Sequence, residues 1–173
     1  MEFLHSGASF IEPYIQQYGL YAIFAIIYLE SLGAPLPGES ALVASSLLAM
    51  RGDLGVVNLF FVVWVAAVLG DSTGYAIGHF GGRPLLQRYG WLIKLTPQRL
   101  AELEQLFRRR GAFIVFGARF VVVLRQLNGL VAGSVGMPWH KFLAANVLGA
   151  GVWSAVWSFG PYFFGDLFHA IWR

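Results

Sequence analysis

The chain has 173 residues, of which 57% are hydrophobic and only 12% are charged, whereas soluble domains average about 25% charged residues. This composition predicts a single polytopic membrane domain that comprises residues 1–173. The absence of cysteine excludes disulfides, thiol catalysis and thiolate metal sites, and the small net charge of +3, concentrated in one loop, argues against nucleic-acid binding.

The first segment, residues 1–17, alternates apolar and polar residues and contains Pro13, which predicts a short interfacial helix. It has no basic leader and carries Glu2 and Glu12, so we expect no cleavable signal peptide. Membrane insertion would then depend on the later hydrophobic segments.

Residues 19–50 form two apolar runs separated by the sequence ESLGAPLPGES at residues 30–40. A run of ten or eleven helical residues covers only ~16 Å of a ~30 Å hydrocarbon core, and Pro35 and Pro37 prevent a continuous helix. We predict a re-entrant hairpin whose break includes both prolines and Gly38; two halves of one broken helix are the alternative. Irregular backbone at this depth must be buried in protein or line a water-filled cavity.

The basic residues indicate how the rest of the chain is oriented. Seven Lys and Arg residues lie within 79–111 against two glutamates, and none precedes Arg51, so the positive-inside rule places 79–111 in the cytoplasm and makes the first hairpin enter from the outer face. The remaining predicted elements are a transmembrane helix at 56–78, a second re-entrant hairpin at 112–138 with breaks at Gly133 and Gly136, and a transmembrane helix at 142–165.

Two pairs of dipeptides recur at a constant offset of 79 residues: Leu69-Gly70 with Phe80-Gly81, and Leu148-Gly149 with Phe159-Gly160. A hairpin followed by a span would thus occur twice with opposite orientation. Inverted repeats of this kind are typical of transporters with a site near the membrane midplane. Chance matching of small and aromatic residues is the alternative explanation.

Five charged residues interrupt the apolar segments: Glu30, Glu39, Asp71, Arg119 and Arg125. Each buried charge costs roughly 2.5 to 3.5 kcal/mol on insertion scales, so we expect the charges to be paired or hydrated. We predict that the two hairpin tips meet, with the two glutamates facing the two arginines. An interfacial position for either glutamate is the alternative, and for Asp71 a proton relay and a packed structural role are equally open.

These residue types suit a particular chemistry. Arginine pairs bidentately with a carboxylate or a phosphate and does not deprotonate. A carboxylate in a partly dry cavity takes up a proton more readily than one in water. The sequence therefore supplies an anion-binding group and a protonatable switch. The four histidines lack the spacing of a metal site, so we expect no metal and no cofactor.

Several stretches carry a family resemblance: LESLGAPLPGES, GDSTGYAIGHFGG, GARFVVVLR, GSVGMPWHKFLAAN and GAGVW. Together, over residues 15–165, they resemble the DedA family of bacterial membrane proteins, whose core is shared with the VTT-domain, or SNARE-associated, proteins. The resemblance implies two re-entrant hairpins facing each other within spanning helices. It also implies a role in moving undecaprenyl phosphate, phosphatidylethanolamine or another phospholipid between leaflets, with dependence on the proton motive force.

The resemblance also assigns functional positions. The family's essential acidic pair maps onto Glu30 and Glu39, its essential arginines map onto Arg119 and Arg125, and Asp71 matches a frequent acidic position. Many members carry a further hydrophobic helix after the region that ends here at Arg173. We therefore expect the C-terminus to lie outside, and the contribution of that helix to closing the cavity or to dimerisation stays open.

The predicted fold is an all-α integral membrane protein with two oppositely oriented re-entrant hairpins and transmembrane helices. The predicted function is a flippase- or scramblase-type lipid transporter in the bacterial inner membrane, coupled to the proton motive force. Arg119 and Arg125 would bind the lipid phosphate, and Glu30, Glu39 and Asp71 would serve ion pairing and proton coupling. The predicted partners are membrane lipids and protons, without nucleic acid, and a homo-oligomer is left open.

Three alternatives differ in class. A proton-coupled antiporter of small cations or drugs would use the three acidic residues, although fixed arginines oppose a cation. A non-transporting membrane scaffold would use the charges as structural pairs. An enzyme is the least favoured, because no Ser, His and Asp constellation occurs along the chain, and we predict a non-enzymatic protein.

Overall fold

The computed structural model describes residues 19–50, 54–82, 84 and 97–171, and the regular secondary structure within these ranges is entirely helical. This confirms the predicted all-α class. The interfacial helix predicted for residues 1–17 lies outside the described residues. The helices are α1 (Leu20–Leu32), α2 (Gly38–Met50), α3 (Val56–Ile77), α4 (Pro97–Ala118), α5 (Val122–Ser134) and α6 (Trp139–Ile171).

Among the described residues, two helices are long and apolar enough to cross a membrane. The first is α3 extended by a π-helical turn at Gly78–Gly82, which makes a continuous segment of 27 residues. The second is the Trp139–Phe164 part of α6, with 26 residues. At 1.5 Å per residue each is about 40 Å long, against ~30 Å of hydrocarbon. The first begins at the predicted residue 56 and continues past 78 to Gly82, and the second begins at Trp139, three residues before the predicted span 142–165.

The turn between α1 and α2 is fixed by backbone chemistry. Gly33 ends α1 with a φ of 121°, a left-handed conformation that glycine adopts without strain, and its N–H bonds to the Glu30 carbonyl at 3.0 Å. Pro35 and Pro37 then lie in the non-helical link before Gly38 begins α2. Each of the two helices has 13 residues and is about 20 Å long.

The second helical pair differs from its predicted bounds. Helix α4 begins at Pro97 rather than at 112, because its first half exposes polar residues on one side and buries Phe107 on the other. A search for apolar runs does not detect such an amphipathic helix. Gly133 lies within α5, whereas the chain turns at Gly136, whose φ is 68°.

Contacts along α3 give the directions of its neighbours. Helix α6 runs antiparallel to α3, since Trp64 Nε1 donates to the Val147 carbonyl at 2.9 Å and the Phe60 and Phe159 rings lie 5.6 Å apart. The second half of α1 packs against the second half of α3, where the hydroxyls of Tyr28 and Thr73 lie 3.0 Å apart and a Cβ atom at Gly70 would meet the Tyr28 carbonyl. The last turns of α1 therefore lie near the middle of the Val56–Gly82 segment.

Glycines allow α3 to approach its neighbours closely. A Cβ atom at Gly70 would collide with the Tyr28 carbonyl of α1, one at Gly78 with the Leu130 carbonyl of α5, and one at Gly133 with α3 at the Tyr75 carbonyl. Small residues four apart on facing helices are typical of backbone-to-backbone packing in membranes. Helix α5 therefore lies against the second half of α3.

Two apolar cores lie on either side of this middle level. The first joins α1, α2, α3 and α6 and includes Ile27, Leu42, Val63 and Trp153. The second joins the four helices α3, α4, α5 and α6 around Tyr75, Met137 and Phe142. The buried charges lie between the two cores.

Replacing Gly133 by alanine should separate α3 from α5, because the added Cβ would meet the Tyr75 backbone and not a mobile side chain. We expect a loss of about 1–3 kcal/mol in the free energy of unfolding, as for other overpacked cores, measured as a lower melting temperature in detergent. Gly117→Ala is the matched control, since Gly117 has no neighbour within 4 Å of an added Cβ, and it should leave the melting temperature unchanged or raise it. Equal melting temperatures for the two variants would contradict this packing.

Candidate functional site

The five charged residues of the apolar segments form two buried groups at the middle of the bundle. Glu30 lies in the last turn of α1, Glu39 in the first turn of α2, and Arg125 in the first turn of α5; we call these three the Arg125 group. Arg119 lies between α4 and α5, beside Asp71 of α3.

In the Arg125 group, one guanidinium faces two carboxylates. Arg125 Nη2 donates to Glu30 Oε1 at 2.9 Å and lies 3.5 Å from Glu39 Oε1. The side chains of Arg125 and Glu30 are 2% and 3% exposed, whereas that of Glu39 is 32% exposed. The Arg125–Glu30 pair is therefore short and buried, whereas the Arg125–Glu39 contact is longer and partly exposed.

An aromatic ring completes the group. The Cζ atom of Arg125 lies 4.5 Å from the centroid of the Trp153 ring, and Trp153 is almost fully buried. The negative face of an indole attracts a guanidinium, most strongly when both are desolvated. Trp153 therefore adds a cation–π contact to the pairing of Arg125 with its carboxylates.

The local sequence explains why two glutamates meet here. The proline link brings the end of α1 beside the start of α2, and Gly38 leaves the room that Glu30 needs, because a Cβ at Gly38 would collide with Glu30 Oε2. Glu39 lies in the first turn of α2, where the helix dipole favours a negative charge. Both carboxylates are thus held by backbone geometry.

The second group, the Arg119 group, consists of Arg119, Asp71 and Asn146. Arg119 Nη1 donates to Asp71 Oδ2 and, at 2.6 Å, to Asn146 Oδ1. Asn146 Nδ2 in turn donates to the Val68 carbonyl at 3.2 Å. All three side chains are buried. This group therefore ties α3, α6 and the α4–α5 turn together and, unlike the Arg125 group, has no exposed member.

The pairing differs in detail from the predicted arrangement, in which both glutamates face both arginines. The structure places Glu30 and Glu39 against Arg125, and it places Arg119 against Asp71. The sequence analysis missed Asn146 and Trp153. A polar amide inside the apolar run of α6 was a usable signal for Asn146, whereas a tryptophan in a membrane helix suggests an interfacial position.

Several polar atoms of the two groups remain without a hydrogen-bond partner among the described residues: Glu30 Oε2, Asp71 Oδ1, Arg119 Nε and Arg125 Nε. Free acceptors and donors of this kind can bind a proton, water or an oxyanion. Throughout the part of the chain that the structure describes, no three His, Asp or Glu residues lie close enough together to hold a metal ion.

Comparisons with known proteins agree with this architecture. A sequence model of the VTT domain matches residues 36–163. An uncharacterised membrane protein of Synechocystis is 41% identical over 155 residues, which are 90% of this chain and 71% of that protein. One from Mycobacterium tuberculosis is 40% identical over 145 residues, 82% of this chain and 66% of that protein. Protein DedA of Escherichia coli is 32% identical over 161 residues, 88% of this chain and 73% of its own length. No solved structure matches the chain.

The Arg119 group predicts strong coupling between two substitutions. Arg119→Met alone leaves the Asp71 carboxylate buried without its cation, and Asp71→Asn alone leaves the guanidinium uncompensated, so each should cost about 3–5 kcal/mol of unfolding free energy. The double variant carries neither buried charge and should be more stable than either single variant. The measurement is unfolding in detergent micelles.

Arg109→Met serves as the control, since Arg109 is exposed and its loss should leave stability unchanged. Additive losses in the Asp71 and Arg119 double variant would show that the two side chains do not stabilise each other.

Proposed function

Since the chain belongs to the DedA family of VTT-domain membrane proteins, we propose that it moves a lipid that carries a phosphate group between the two leaflets of the membrane. The substrate class is a phospholipid or undecaprenyl phosphate. The membrane is the bacterial inner membrane, with residues 79–111 in the cytoplasm, as the basic residues of that segment favour.

In this proposal the α1–α2 and α4–α5 pairs are re-entrant hairpins that enter from opposite sides. The length of α1 and α2, about 20 Å each, supports this, since neither could cross ~30 Å of hydrocarbon alone. The contacts of the Val56–Gly82 segment also support it: the last turns of α1 lie near its middle, at Gly70, and Gly133 near the end of α5 lies against Tyr75 in its second half.

The repeated dipeptides add support for an inverted repeat. Gly70 of α3 packs against α1, and Gly149 of α6, its equivalent at the offset of 79, packs against Phe116 of α4. Each glycine thus contacts the first helix of one hairpin. Related hairpins of opposite orientation would place a substrate site where their tips meet.

The observation that carries the proposal is the open contact between Arg125 and Glu39. Arg125 is hydrogen-bonded to the buried Glu30, while Glu39 Oε1 lies 3.5 Å from Arg125 Nη2 and the Glu39 side chain is partly exposed. A lipid phosphate, like a carboxylate, presents two oxygens that accept hydrogen bonds from a guanidinium, and it can replace Glu39 beside Arg125. The buried charge of Arg125 therefore remains compensated throughout the exchange.

A proton makes this replacement easier. Two carboxylates share one guanidinium, so the Arg125 group carries an excess negative charge when both are ionised. Protonation of Glu39 removes that excess and weakens its attraction to Arg125, which then accepts the phosphate. Arg119 lies deeper, and it would contact the phosphate only after Asp71 releases it.

The surface near the site suits a lipid whose tails never leave the bilayer. Phe120, Val121 and Leu124, which precede Arg125 in sequence, are each at least half exposed. Apolar side chains on the outside of a membrane protein contact acyl chains. The headgroup would thus enter between the hairpin tips while the tails remain beside α5.

The direct test is lipid exchange in reconstituted vesicles of phosphatidylethanolamine and phosphatidylglycerol that contain a trace of NBD-labelled phosphatidylethanolamine. Dithionite quenches only the outer-leaflet label, so the slow second phase reports exchange. Arg125→Gln should slow exchange at least about tenfold, because it removes a charge-assisted hydrogen bond worth about 1.5–3 kcal/mol. Arg109→Gln makes the same change at an exposed position and should exchange at the wild-type rate.

Glu39→Gln separates the competing functions. A proton-coupled lipid carrier should keep basal exchange in this variant but lose the acceleration by an imposed pH gradient. Unchanged exchange in Arg125→Gln would overturn the proposal. Proton flux that depends on an added drug and is indifferent to lipid headgroup would indicate an antiporter, and vesicles without any transport would indicate a scaffold.

A further inference from the structure

A set of buried serines lies in α2 and α6, on the side of the Arg125 group that faces the Met50 end of α2. Ser45 and Ser46 belong to α2, and Ser154 and Ser158 belong to α6; all four are fully buried. They adjoin the first apolar core, in which α2 and α6 pack against α1 and α3. We call them the serine track.

Two of these hydroxyls differ from ordinary serines of a membrane helix. The usual arrangement is a bond to the carbonyl four residues earlier, which Ser45 makes to Ala41 at 2.7 Å and Ser134 makes to Leu130 at 2.8 Å. The Oγ atoms of Ser154 and Ser158 have no hydrogen-bond partner in the described part of the chain. An unsatisfied buried hydroxyl costs about 1–3 kcal/mol, which water at the hydroxyl would remove.

The backbone hydrogen bonding of α6 is also interrupted near Ser158. Pro161 lies inside the helix, and it has no N–H to donate to the Trp157 carbonyl four residues earlier. The adjacent Ser158 carbonyl accepts a bond from Ser46 Oγ at 2.7 Å. Serine hydroxyls and ordered water are the groups that satisfy helix backbone near a proline in membranes.

The track has the spacing of a hydrogen-bonded chain. Ser154 and Ser158 are one helical turn apart, about 6 Å along the axis, a separation that two waters with hydrogen bonds of about 2.8 Å can bridge. Glu39 and Ser46 lie on the same side of α2, two turns or about 10 Å apart. The track therefore extends from Glu39 toward Met50 at the end of α2.

We propose that the serine track is a water-filled proton pathway that connects the Met50 end of α2 with the Glu39 carboxylate. The coupling role of this pathway rests on the proposed function; its hydration does not. A proton passes along the Ser154 and Ser158 hydroxyls and the waters between them, each accepting one hydrogen bond and donating the next, and ends on the carboxylate, which becomes a neutral acid. Ser45 and Ser46 line the pathway, since their hydroxyls donate to the Ala41 and Ser158 carbonyls. No electron moves and no covalent bond other than O–H changes.

Among the described residues, the charged groups that pack near the pathway lie at its Glu39 end. Helix α1 contributes Glu30, α5 contributes Arg125, and α3 contributes Asp71, which is held by Arg119. Between Glu39 and Met50, α2 carries no titratable side chain. No carboxylate of α2 therefore lies between the Met50 end and the Arg125 group.

The natural absence of cysteine allows a direct test of hydration. Ser154→Cys and Ser158→Cys each place one nearly isosteric thiol in the track. Methanethiosulfonate ethylammonium, applied to the full chain in vesicles, should modify both at least about tenfold faster than a dry thiol, because thiolate forms only where water reaches the sulfur. Ala67→Cys is the matched control: it lies in the same core and is 1% exposed. Mass spectrometry measures the modified fraction.

Modification of the two serine positions at the slow rate of the Ala67 position would overturn the pathway, whatever the protein transports. Size-exclusion profiles identical to wild type ensure that the thiols are compared in folded protein.

A second measurement addresses coupling. Ser154→Val and Ser158→Val fill the track with methyl groups, and proton uptake into vesicles loaded with a pH-sensitive dye should fall at least threefold, while NBD-lipid exchange without a pH gradient stays at the wild-type rate. Hydrated thiols with undiminished proton uptake would remove the coupling role. Absence of lipid exchange in the wild-type protein itself would instead contradict the proposed function and leave the labelling result standing.

Discussion

A guanidinium inside an apolar bundle is stable only with a carboxylate beside it. The described part of this chain contains two such buried guanidiniums. Arg125 and Arg119 are both almost completely buried, and removal of one partner from such a pair costs several kcal/mol. Their carboxylates come from α1, α2 and α3, so the pairs determine which segments must meet. The α1–α2 and α4–α5 turns are therefore held at one level of the bundle by charge, while the apolar cores on either side fill the remaining space.

The two arginines are placed for different tasks. Arg119 binds two side chains, and one of them, Asn146, is itself fixed to the Val68 carbonyl. Such a network makes a rigid joint between helices. Arg125 is fixed by Glu30 and Trp153, but its contact with Glu39 is long and partly exposed. Rigidity at one group and an exchangeable ligand at the other are what a carrier needs, because the scaffold must persist while the substrate changes partners.

The sequence predicted the features that depend on local chemistry. The break at Pro35 and Pro37 follows from backbone sterics, and the burial of charges at 30, 71, 119 and 125 follows from their position in apolar runs. Partner choice did not follow, because it depends on the rotation of α3 and α5, which Gly133 and its neighbours determine through contacts distant in sequence. The start of α4 was not predicted for another reason. Its first turns are amphipathic, and the mean hydropathy of such a helix is low because its polar and apolar faces cancel. The cation–π contact of Trp153 has no one-dimensional signature at all.

The indole beside Arg125 limits how an anion can approach. The ring centroid lies 4.5 Å from Cζ, so an incoming ligand must reach the N–H groups from another side of the guanidinium. A phosphate or carboxylate presents two oxygens to two parallel donors, whereas a halide offers one atom that both donors must share. Chloride is thereby less well matched to this position than an oxyanion, and a lysine ammonium in place of Arg125 would lack that discrimination.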